Sequence, residues 1–249
     1  MQITMYDDVA IVTGAGNGLG RGVAVELAAS GAKVALVDLN EAGLAETARL
    51  VTEGGGLASQ HVVDVSDWVA VEAAVHEVSR EFGDPTILVT AAAIDESISI
   101  VDMPVESWRR MIDVNLNGTF YCLKAVLPAM IRNRYGRVVL FGSNIALKGG
   151  DDIAHYGAAK GGVHALTRCA ALEGAAAGVT VNCIAPGPIE TDMLWSLPDE
   201  WLAAKKDELP LGRFGTVDEV VPAVVLLASR MSGFTTGSTV NVSGGDVIA

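Results

Sequence analysis

Short runs of apolar residues alternate along this chain with longer segments in which apolar residues recur every three or four positions. The short runs are typical of strands buried on both faces of a parallel sheet, and the periodic segments are typical of amphipathic helices. Residues 9–12, Val-Ala-Ile-Val, form the first run. The alternation predicts an α/β fold, a doubly wound parallel sheet of about seven strands flanked by helices, with ligands at the carboxyl ends of its strands.

The same pattern assigns the individual elements. Strands are expected at 9–12, 33–38, 86–90, 137–141, 180–184 and 238–242, with a further strand that ends at Asp64. Helices are expected at 18–30, 41–52, 68–82, 105–133, 156–177 and 217–229, and the fourth should be bent near 115–118 and at Pro128. The stretch from 188 to 212 is expected to be irregular and mixed.

Composition narrows the class of protein. The 249 residues are half apolar, which suits a single domain over residues 1–249 with a large core. The net charge of -13 repels phosphate backbones and anionic membrane surfaces, so nucleic acid and membranes are not expected as partners. The N-terminus resembles no signal peptide, and no apolar run has the length needed to span a bilayer. We therefore expect a soluble, cytoplasmic protein.

The three cysteines, Cys122, Cys169 and Cys183, are widely scattered. They form no Cys-x-x-Cys spacing, and no paired histidines accompany them, so a metal site is not expected. We interpret them as small buried hydrophobic residues of a protein from a reducing compartment.

A glycine-rich turn follows the first apolar run. Residues 13–20, Thr-Gly-Ala-Gly-Asn-Gly-Leu-Gly, lead directly into the first helical segment, and a second strand follows that helix. Glycines in such a turn let the backbone approach a pyrophosphate, and the helix N-terminus offers unpaired N–H groups and the positive end of its dipole. With an acidic residue at the end of the next strand, this unit predicts a Rossmann-like dinucleotide site.

That acidic residue is Asp38, and it favours NAD as the cofactor. Its carboxylate can accept hydrogen bonds from an adenosine ribose and would repel a 2'-phosphate. Asn17, Leu39 and Asn40 are not basic, so they offer a 2'-phosphate no cation. The alternative is that Asp38 only caps the helix at 41–52.

Tyr156 and Lys160 are the candidate proton-transfer pair. They stand one turn apart on one face of the predicted helix. A nearby cation favours the phenolate and lowers the pKa of a tyrosine, which can then exchange a proton with an alcohol oxygen. A tyrosine and a lysine at this spacing are also common on a solvated helix face, so the pair needs its context.

The context is a resemblance to the short-chain dehydrogenase/reductase family that covers essentially the whole chain. Ser143 precedes Tyr156 by thirteen residues, a spacing common in that family. The motifs that carry the resemblance occur in family order: Thr13-Gly14-x-x-x-Gly18-x-Gly20, Asp64-Val65, Asn115 within Val114-Asn115-Leu116-Asn117-Gly118, Ser143, Tyr156-x-x-x-Lys160 and Pro186-Gly187.

The resemblance implies a catalytic set of Asn115, Ser143, Tyr156 and Lys160. Tyr156 would be the general acid/base, and Ser143 would bind and orient the substrate oxygen. Lys160 would lower the pKa of the phenol and bind the nicotinamide ribose. Asn115 would hold a water that links Lys160 to solvent. The alternatives are a turn serine for Ser143 and a bend-forming asparagine for Asn115.

The resemblance also implies a set of cofactor contacts, and the sequence departs from the family pattern at two places. Thr90-Ala91-Ala92-Ala93 replaces the family's Asn-Asn-Ala-Gly, which removes two amide side chains and places a methyl group near the cofactor. Ser243 replaces a usual aspartate, with a minor effect expected. The implied cofactor contacts are Gly14, Asn17, Gly18, Leu19, Gly20, Asp38, Leu39, Asp64, Val65, Ala91, Ala92, Ala93, Tyr156, Lys160, Pro186, Gly187, Ile189 and Thr191.

The substrate is left open. By resemblance, residues 188–212 form a lid over a polyol, sugar, hydroxy acid, steroid or cyclic alcohol. Its apolar side chains, such as Met193 and Trp195, are equally suited to a core or a subunit contact. Polar candidates around the pocket are Asp95, Glu96, Asn144, Asp151, Asp152 and His155.

Three functions compete. The favoured one is an NAD-dependent dehydrogenase that interconverts a secondary alcohol and its ketone. A 3-oxoacyl-thioester reductase is the second, although such enzymes usually take NADPH and would be better served by basic residues near Asn17 or Leu39. A non-catalytic NAD-binding scaffold is the third. Loss of Tyr156 or Lys160 would have favoured it, and both residues are present. The resemblance and the apolar surface of the helices at 105–133 and 156–177 predict a homotetramer.

Overall fold

One parallel sheet forms the centre of the protein. The computed structural model describes residues 3–248. Its strands are β1 (Val9–Thr13), β2 (Lys33–Asp38), β3 (Leu57–Val62), β4 (Ile87–Thr90), β5 (Gly136–Phe141), β6 (Val179–Pro186) and β7 (Thr239–Val242). They pair in the order β3-β2-β1-β4-β5-β6-β7, and every pairing is parallel. The predicted doubly wound sheet is confirmed.

Helices connect the strands on both faces of the sheet. They are α1 (Gly18–Ala29), α2 (Glu41–Glu53), α3 (Trp68–Phe82), α4 (Val105–Ile112), a π-helix (Asp113–Asn117), α5 (Gly118–Arg132), α6 (Ile145–Lys148), α7 (Ala154–Ala175), α8 (Asp192–Trp195), α9 (Asp199–Glu208), α10 (Val217–Ala228) and a 3-10 turn (Arg230–Ser232). Within the described residues, none of these helices has the length and apolar character needed to cross a membrane.

Two apolar clusters cover the two faces of the sheet. Residues Ala10 and Val12 of β1 pack with α1, α2 and α10, whereas Val9 and Ile11 pack with α3, α5 and α7. Successive side chains of a strand point to opposite faces, so a continuous apolar run serves both clusters.

The break predicted in the long helix is confirmed, and its form is a π-helix. Residues Asp113–Asn117 take this form between α4 and α5. A π-helix inserts an extra residue into a turn and is often found at functional sites. Pro128 lies inside α5 without ending it.

Three expectations about local structure were wrong. The third strand ends at Val62, because the Asp64 carboxylate accepts hydrogen bonds from the backbone and hydroxyl of Ser66 and starts a turn. The stretch from 188 to 212 contains α8 and α9. Helix α9 has acidic residues in its first turn and lysines in its last, which suits the helix dipole. Cys122 and Cys183 are buried, but Cys169 is exposed.

Candidate active site

The candidate site lies at the carboxyl ends of four adjacent strands. Strand β1 pairs with β2 on one side and β4 on the other, so the strand order reverses there. The glycine loop follows β1, and the Thr90–Ala93 segment follows β4. Ser143 lies just beyond β5, and Gly187 just beyond β6. Ligands of open α/β sheets bind at such a reversal point.

The glycine loop is packed too tightly for side chains. Gly14 has a φ of +67°, and a Cβ there would lie 2.6 Å from the Ala92 backbone nitrogen. A Cβ on Gly20 would lie 2.1 Å from the Gly14 oxygen. Gly18 has a φ of +49° and lies beside Thr191. Asn17 begins α1 without a side-chain cap, and its amide instead donates to Asp192 at 3.4 Å.

We predict that Gly20→Ala destabilises the protein and weakens dinucleotide binding. The new methyl would collide with backbone, so the loop must shift, and overpacking of this kind costs about 1–3 kcal/mol or more. Gly161→Ala is the matched control, because a Cβ on this helical glycine meets nothing within 4 Å. Thermal unfolding should show a clear loss for Gly20→Ala and no loss for Gly161→Ala. Equal melting temperatures would contradict the tight packing described here.

The Asp38 carboxylate is bonded to the glycine loop. One oxygen accepts a hydrogen bond from the Gly16 N–H at 2.9 Å, and the other accepts one from the Asn40 N–H at 2.9 Å. A carboxylate offers about four lone-pair positions, so acceptor capacity is left for a ligand. The cap of α2 is Asn40, whose side chain accepts from the Gly43 N–H. The capping alternative for Asp38 is therefore wrong.

The segment after β4 is held without the family's two amide side chains. The Thr13 backbone oxygen and hydroxyl accept hydrogen bonds from the N–H groups of Ala91 and Ala92, each at 3.2 Å. Ala93 is not among the residues with positive φ, so its methyl group causes no backbone strain. The Thr90 hydroxyl is buried and has no hydrogen-bond partner.

The remaining cofactor candidates lie around the same loops. Val65 packs against Gly118 at the start of α5. The Gly187 N–H donates to the Val242 oxygen at 3.0 Å, and Ile189 forms an isolated bridge with Gly215. Leu39 is largely exposed. The structure thus brings the glycine loop next to Thr191, while the Asp64 carboxylate is hydrogen-bonded to Ser66 within a turn.

Three of the four catalytic candidates, Ser143, Tyr156 and Lys160, lie at the end of β5. Ser143 is buried, and its hydroxyl accepts a hydrogen bond from the Ile145 N–H at 3.1 Å. Lys160 is also buried, and its Nζ donates to the Phe141 carbonyl at 2.8 Å. The Nζ lies 5.7 Å from the centre of the Tyr156 ring. The helix spacing predicted for Tyr156 and Lys160 is therefore present, on α7.

Asn115 lies in the π-helix and is fully buried. Its side-chain oxygen accepts from the Ile94 N–H at 2.9 Å, and its nitrogen donates to the Ile94 carbonyl at 2.8 Å. Both ends of the amide are thus used to hold the segment after β4. The water-holding role stays a prediction. The observed contacts of the side chain fix the backbone at Ile94 to the π-helix.

Comparison with known proteins agrees with this geometry. A family model described as enoyl-(acyl carrier protein) reductase matches residues 14–246. The chain is 39% identical over 238 residues to 3-oxoacyl-[acyl-carrier-protein] reductase FabG of Escherichia coli (strain K12), covering 95% of this chain and 96% of that protein. It is 39% identical over 239 residues to 2-dehydro-3-deoxy-L-rhamnonate dehydrogenase (NAD(+)) of Sphingomonas sp. (strain SKA58), covering 95% and 94%. The crystal structure of levodione reductase matches with a TM-score of 0.93 at 32% identity over 98% of both chains.

The chain belongs to the short-chain dehydrogenase/reductase family. It is therefore an oxidoreductase of a family that uses a nicotinamide cofactor. The residues present fit such a cofactor. The strained glycines at 14 and 18 leave a cradle without side chains, and the Asp38 carboxylate borders it at Gly16. Among residues 3–248, no group of three or more His, Cys, Asp or Glu side chains is placed to hold a metal ion.

The electrostatics of Tyr156 in this short-chain dehydrogenase/reductase differ from the expectation. Burial raises the pKa of Tyr156 to about 12, the Ser143 hydroxyl lowers it, and the charge of Asp95 raises it further. The expected lowering by Lys160 was wrong, because the ammonium faces the Phe141 carbonyl and burial dominates. At neutral pH the phenol is protonated, which is the form that donates a proton.

Burial also affects Lys160. It lowers the pKa of Lys160 to about 8, against a smaller opposing effect of Cys183. The amine is therefore mostly charged at pH 7 and loses that charge within the mildly alkaline range. Lys160 is thus a group that titrates close to physiological pH.

The polar candidates around the pocket differ in burial and in their contacts with Tyr156. His155 is buried, and its Nδ1 accepts from the Tyr156 N–H at 3.0 Å. Burial raises the pKa of Asp95, whose charge acts on Tyr156. Asp151 and Asp152 are exposed. Asp95 acts on Tyr156 through its charge and His155 through a hydrogen bond, so both belong to the surroundings of Tyr156.

Several residues of the site were missed from the sequence. The Ser143 N–H donates to Nε2 of His164 at 3.4 Å, and burial lowers the pKa of that histidine. His164 lies one turn beyond Lys160 on the same helical face, a spacing that could have found it. Arg21 donates to the Gly16 carbonyl and to the Thr47 hydroxyl. No sequence signal marked Arg21 as a support of the loop.

Proposed function

We propose that this short-chain dehydrogenase/reductase transfers hydride between NAD(H) and a secondary alcohol or the matching ketone. The observation that carries the proposal is the Asp38 carboxylate, which is bonded to the glycine loop at Gly16. A negative charge at this place favours a ribose with free hydroxyls over a 2'-phosphate. Arg21, close to this loop, is already bonded to backbone and to Thr47.

The cofactor would be held by the loops after β1, β2, β4 and β6. The glycine loop and the N-terminus of α1 would hold the pyrophosphate, Asp38 the adenosine ribose and Lys160 the nicotinamide ribose. A dinucleotide bound there supplies or accepts the hydride. The remaining contacts that we propose are Asn17, Leu19, Leu39, Asp64, Val65, Ala91, Ala92, Ala93, Tyr156, Pro186, Gly187, Ile189 and Thr191.

The protein's own residues move the proton. In the direction of reduction, the protonated Tyr156 phenol would donate its proton to the ketone oxygen, and it would take a proton back during oxidation. The Ser143 hydroxyl would donate a hydrogen bond to the same oxygen and fix its position. Lys160 would act on the bound dinucleotide, through the nicotinamide ribose, because its ammonium faces the Phe141 carbonyl and not the phenol.

A 3-oxoacyl-thioester reductase is the second candidate. It is supported by the 39% identity to the FabG reductase of Escherichia coli. The rhamnonate dehydrogenase relative has the same identity, and its name states NAD(+). That relative and Asp38 together support the first candidate.

The test is a panel of substrates offered to the wild-type protein. NADH formation would be followed with polyols, sugars, hydroxy acids, steroids and cyclic alcohols, and consumption of NADH and of NADPH with a 3-oxoacyl thioester. We expect turnover with at least one secondary alcohol. Turnover of the thioester alone would favour the second candidate. NADH binding without turnover of any member would favour a non-catalytic scaffold.

We also expect the protein to be a homotetramer, a proposal supported by its apolar surface. Phe120 on α5 is 42% exposed and Leu172 on α7 is 81% exposed, and both lie on the helices whose apolar residues we expect to meet another copy of the chain. Light scattering at micromolar concentration should give four times the 25.8 kDa mass of one chain. Leu172→Glu should reduce that mass. A mass near 25.8 kDa for the wild-type protein would refute the tetramer.

A further inference from the structure

The turn formed by residues 243–247, which we name the C-terminal turn, carries a nearly buried carboxylate with three donors. The side chain of Asp246 is 7% exposed. It accepts hydrogen bonds from the Lys148 Nζ at 2.6 Å, from the Lys205 Nζ at 2.7 Å and from the Asn144 amide. These partners lie on two separate parts of the chain, Asn144 and Lys148 at α6 and Lys205 on α9, so Asp246 joins the two parts in space.

The pairing is strong enough to overcome the cost of burial. Burial alone would raise the pKa of Asp246, but the hydrogen bonds from Lys148 and Lys205 leave that pKa lowered. Lys205 is itself nine-tenths buried. Removing the carboxylate would therefore leave this buried ammonium with only the exposed Glu208, at 3.1 Å, as a carboxylate partner, which is unfavourable.

One arm of this network reaches the catalytic serine. A carboxylate only accepts hydrogen bonds, so the Asn144 Nδ2 must face Asp246. The Asn144 Oδ1 then faces the Ser143 hydroxyl, which donates to it at 3.4 Å. At this length the bond is weak, so the hydroxyl can exchange it for a substrate oxygen. The charge on Asp246 thereby fixes the orientation of the Asn144 amide, whose oxygen accepts the hydrogen bond from the Ser143 hydroxyl.

The other arm reaches the segment at 188–212. Lys205 is on α9 of that segment. The segment meets the C-terminal turn again where the Leu211 N–H donates to the Gly244 oxygen at 3.3 Å. A Cβ on Gly245 would lie 2.8 Å from the Pro210 ring, so that ring packs closely on the Gly245 backbone. The segment is thus fastened to the turn at two places.

We propose that Asp246 is a positioning residue that fastens the segment at 188–212 and orients Ser143 at the same time. The inference rests on the proposed function, because it assigns the segment to the substrate and Ser143 to its oxygen. Its two arms predict separable effects. Loss of the Lys205 arm loosens the segment and weakens substrate binding, and loss of the Asn144 arm misorients Ser143 and slows turnover.

The kinetic test compares Lys205→Met, Asn144→Ala and Asp246→Asn with the wild type. We expect KM for the ketone to rise about tenfold in Lys205→Met and kcat to fall about tenfold in Asn144→Ala. A tenfold change is at the lower end of the range for loss of one charged or orienting hydrogen bond. Asp246→Asn should show both effects. Arg213→Met is the matched control. Arg213 lies just beyond the segment, and the substitution removes its 2.6 Å ion pair with Glu219, so it should change neither KM nor kcat.

A second measurement works without any turnover. Amide hydrogen exchange over residues 199–211 should be faster in Lys205→Met and Asp246→Asn than in the wild type and Arg213→Met. Unchanged exchange in both variants overturns the inference, as does an Asp246→Asn enzyme with wild-type kcat and KM. A loss of stability with unchanged KM also overturns it, because that is the result of a purely structural role. Absence of turnover in the wild type would instead refute the proposed function.

Discussion

Tyr156→Phe is expected to lower kcat by at least about 100-fold while dinucleotide binding is retained. The substitution keeps the ring and removes only the oxygen that transfers the proton, and general acid/base groups contribute about 10²- to 10⁴-fold. The ring lies beside Lys160, with the ammonium 5.7 Å from its centre, and the substitution adds no atom to this site. Turnover of a substrate from the panel and the Kd for NADH measure the two parts of the prediction.

Tyr121→Phe is the matched control for this substitution. Tyr121 on α5 packs against Trp68 of α3, with ring centres 5.8 Å apart. It is not one of the catalytic candidates, so loss of its hydroxyl should leave turnover unchanged. The pH profiles add a second check. With the pKa of Tyr156 at about 12, ketone reduction should be nearly independent of pH between about 6 and 8, whereas alcohol oxidation should accelerate as pH rises. Near-normal turnover by Tyr156→Phe would mean that another group transfers the proton.

Asp38→Ala is expected to narrow the preference for NADH over NADPH. Two unit charges about 4 Å apart repel by about 4 kcal/mol at an effective dielectric of about 20, so Asp38 should disfavour a 2'-phosphate by about 10²- to 10³-fold after screening. Its hydrogen bonds to ribose hydroxyls should add about 1.5–3 kcal/mol to NADH binding. The variant should therefore bind NADH more weakly and NADPH more tightly, as measured by the Kd of each.

Two further variants separate charge from structure. Asp38→Asn keeps the size of the side chain and an acceptor for the Gly16 N–H, so it should relieve the repulsion with less disturbance of the loop. Glu41→Ala removes an equal charge from the first turn of α2 and should leave the preference unchanged. NADPH should not become the tight ligand in any variant, because Asn17, Leu39 and Asn40 supply no cation. A preference that survives Asp38→Ala intact would place its cause elsewhere.

The sheet and most helices were predictable because burial dominates their sequence pattern. Strand β2 and helix α3 have the bounds expected from their apolar residues. Asp67 caps α3 by accepting from two N–H groups, as an aspartate directly before a helix often does. Helix α9 was missed because its residues are mostly polar or small, so its charge pattern rather than its periodicity marks it.

The arrangement of side chains was less predictable than the motifs. Helical spacing places Tyr156 beside Lys160, but it does not tell where the ammonium points, and the Phe141 carbonyl takes it. Asp246 and Lys148 are 98 residues apart, and their pairing depends on how the C-terminal turn meets α6 and α9. Long-range contacts of this kind leave no periodic signal in the sequence.

The most direct test of NAD-dependent catalysis is the kcat/KM of the wild-type enzyme with NADH and with NADPH on one ketone identified from the panel. Asp38 at the glycine loop predicts a preference for NADH of about 10²- to 10³-fold. A wild-type enzyme that works better with NADPH than with NADH would contradict the account.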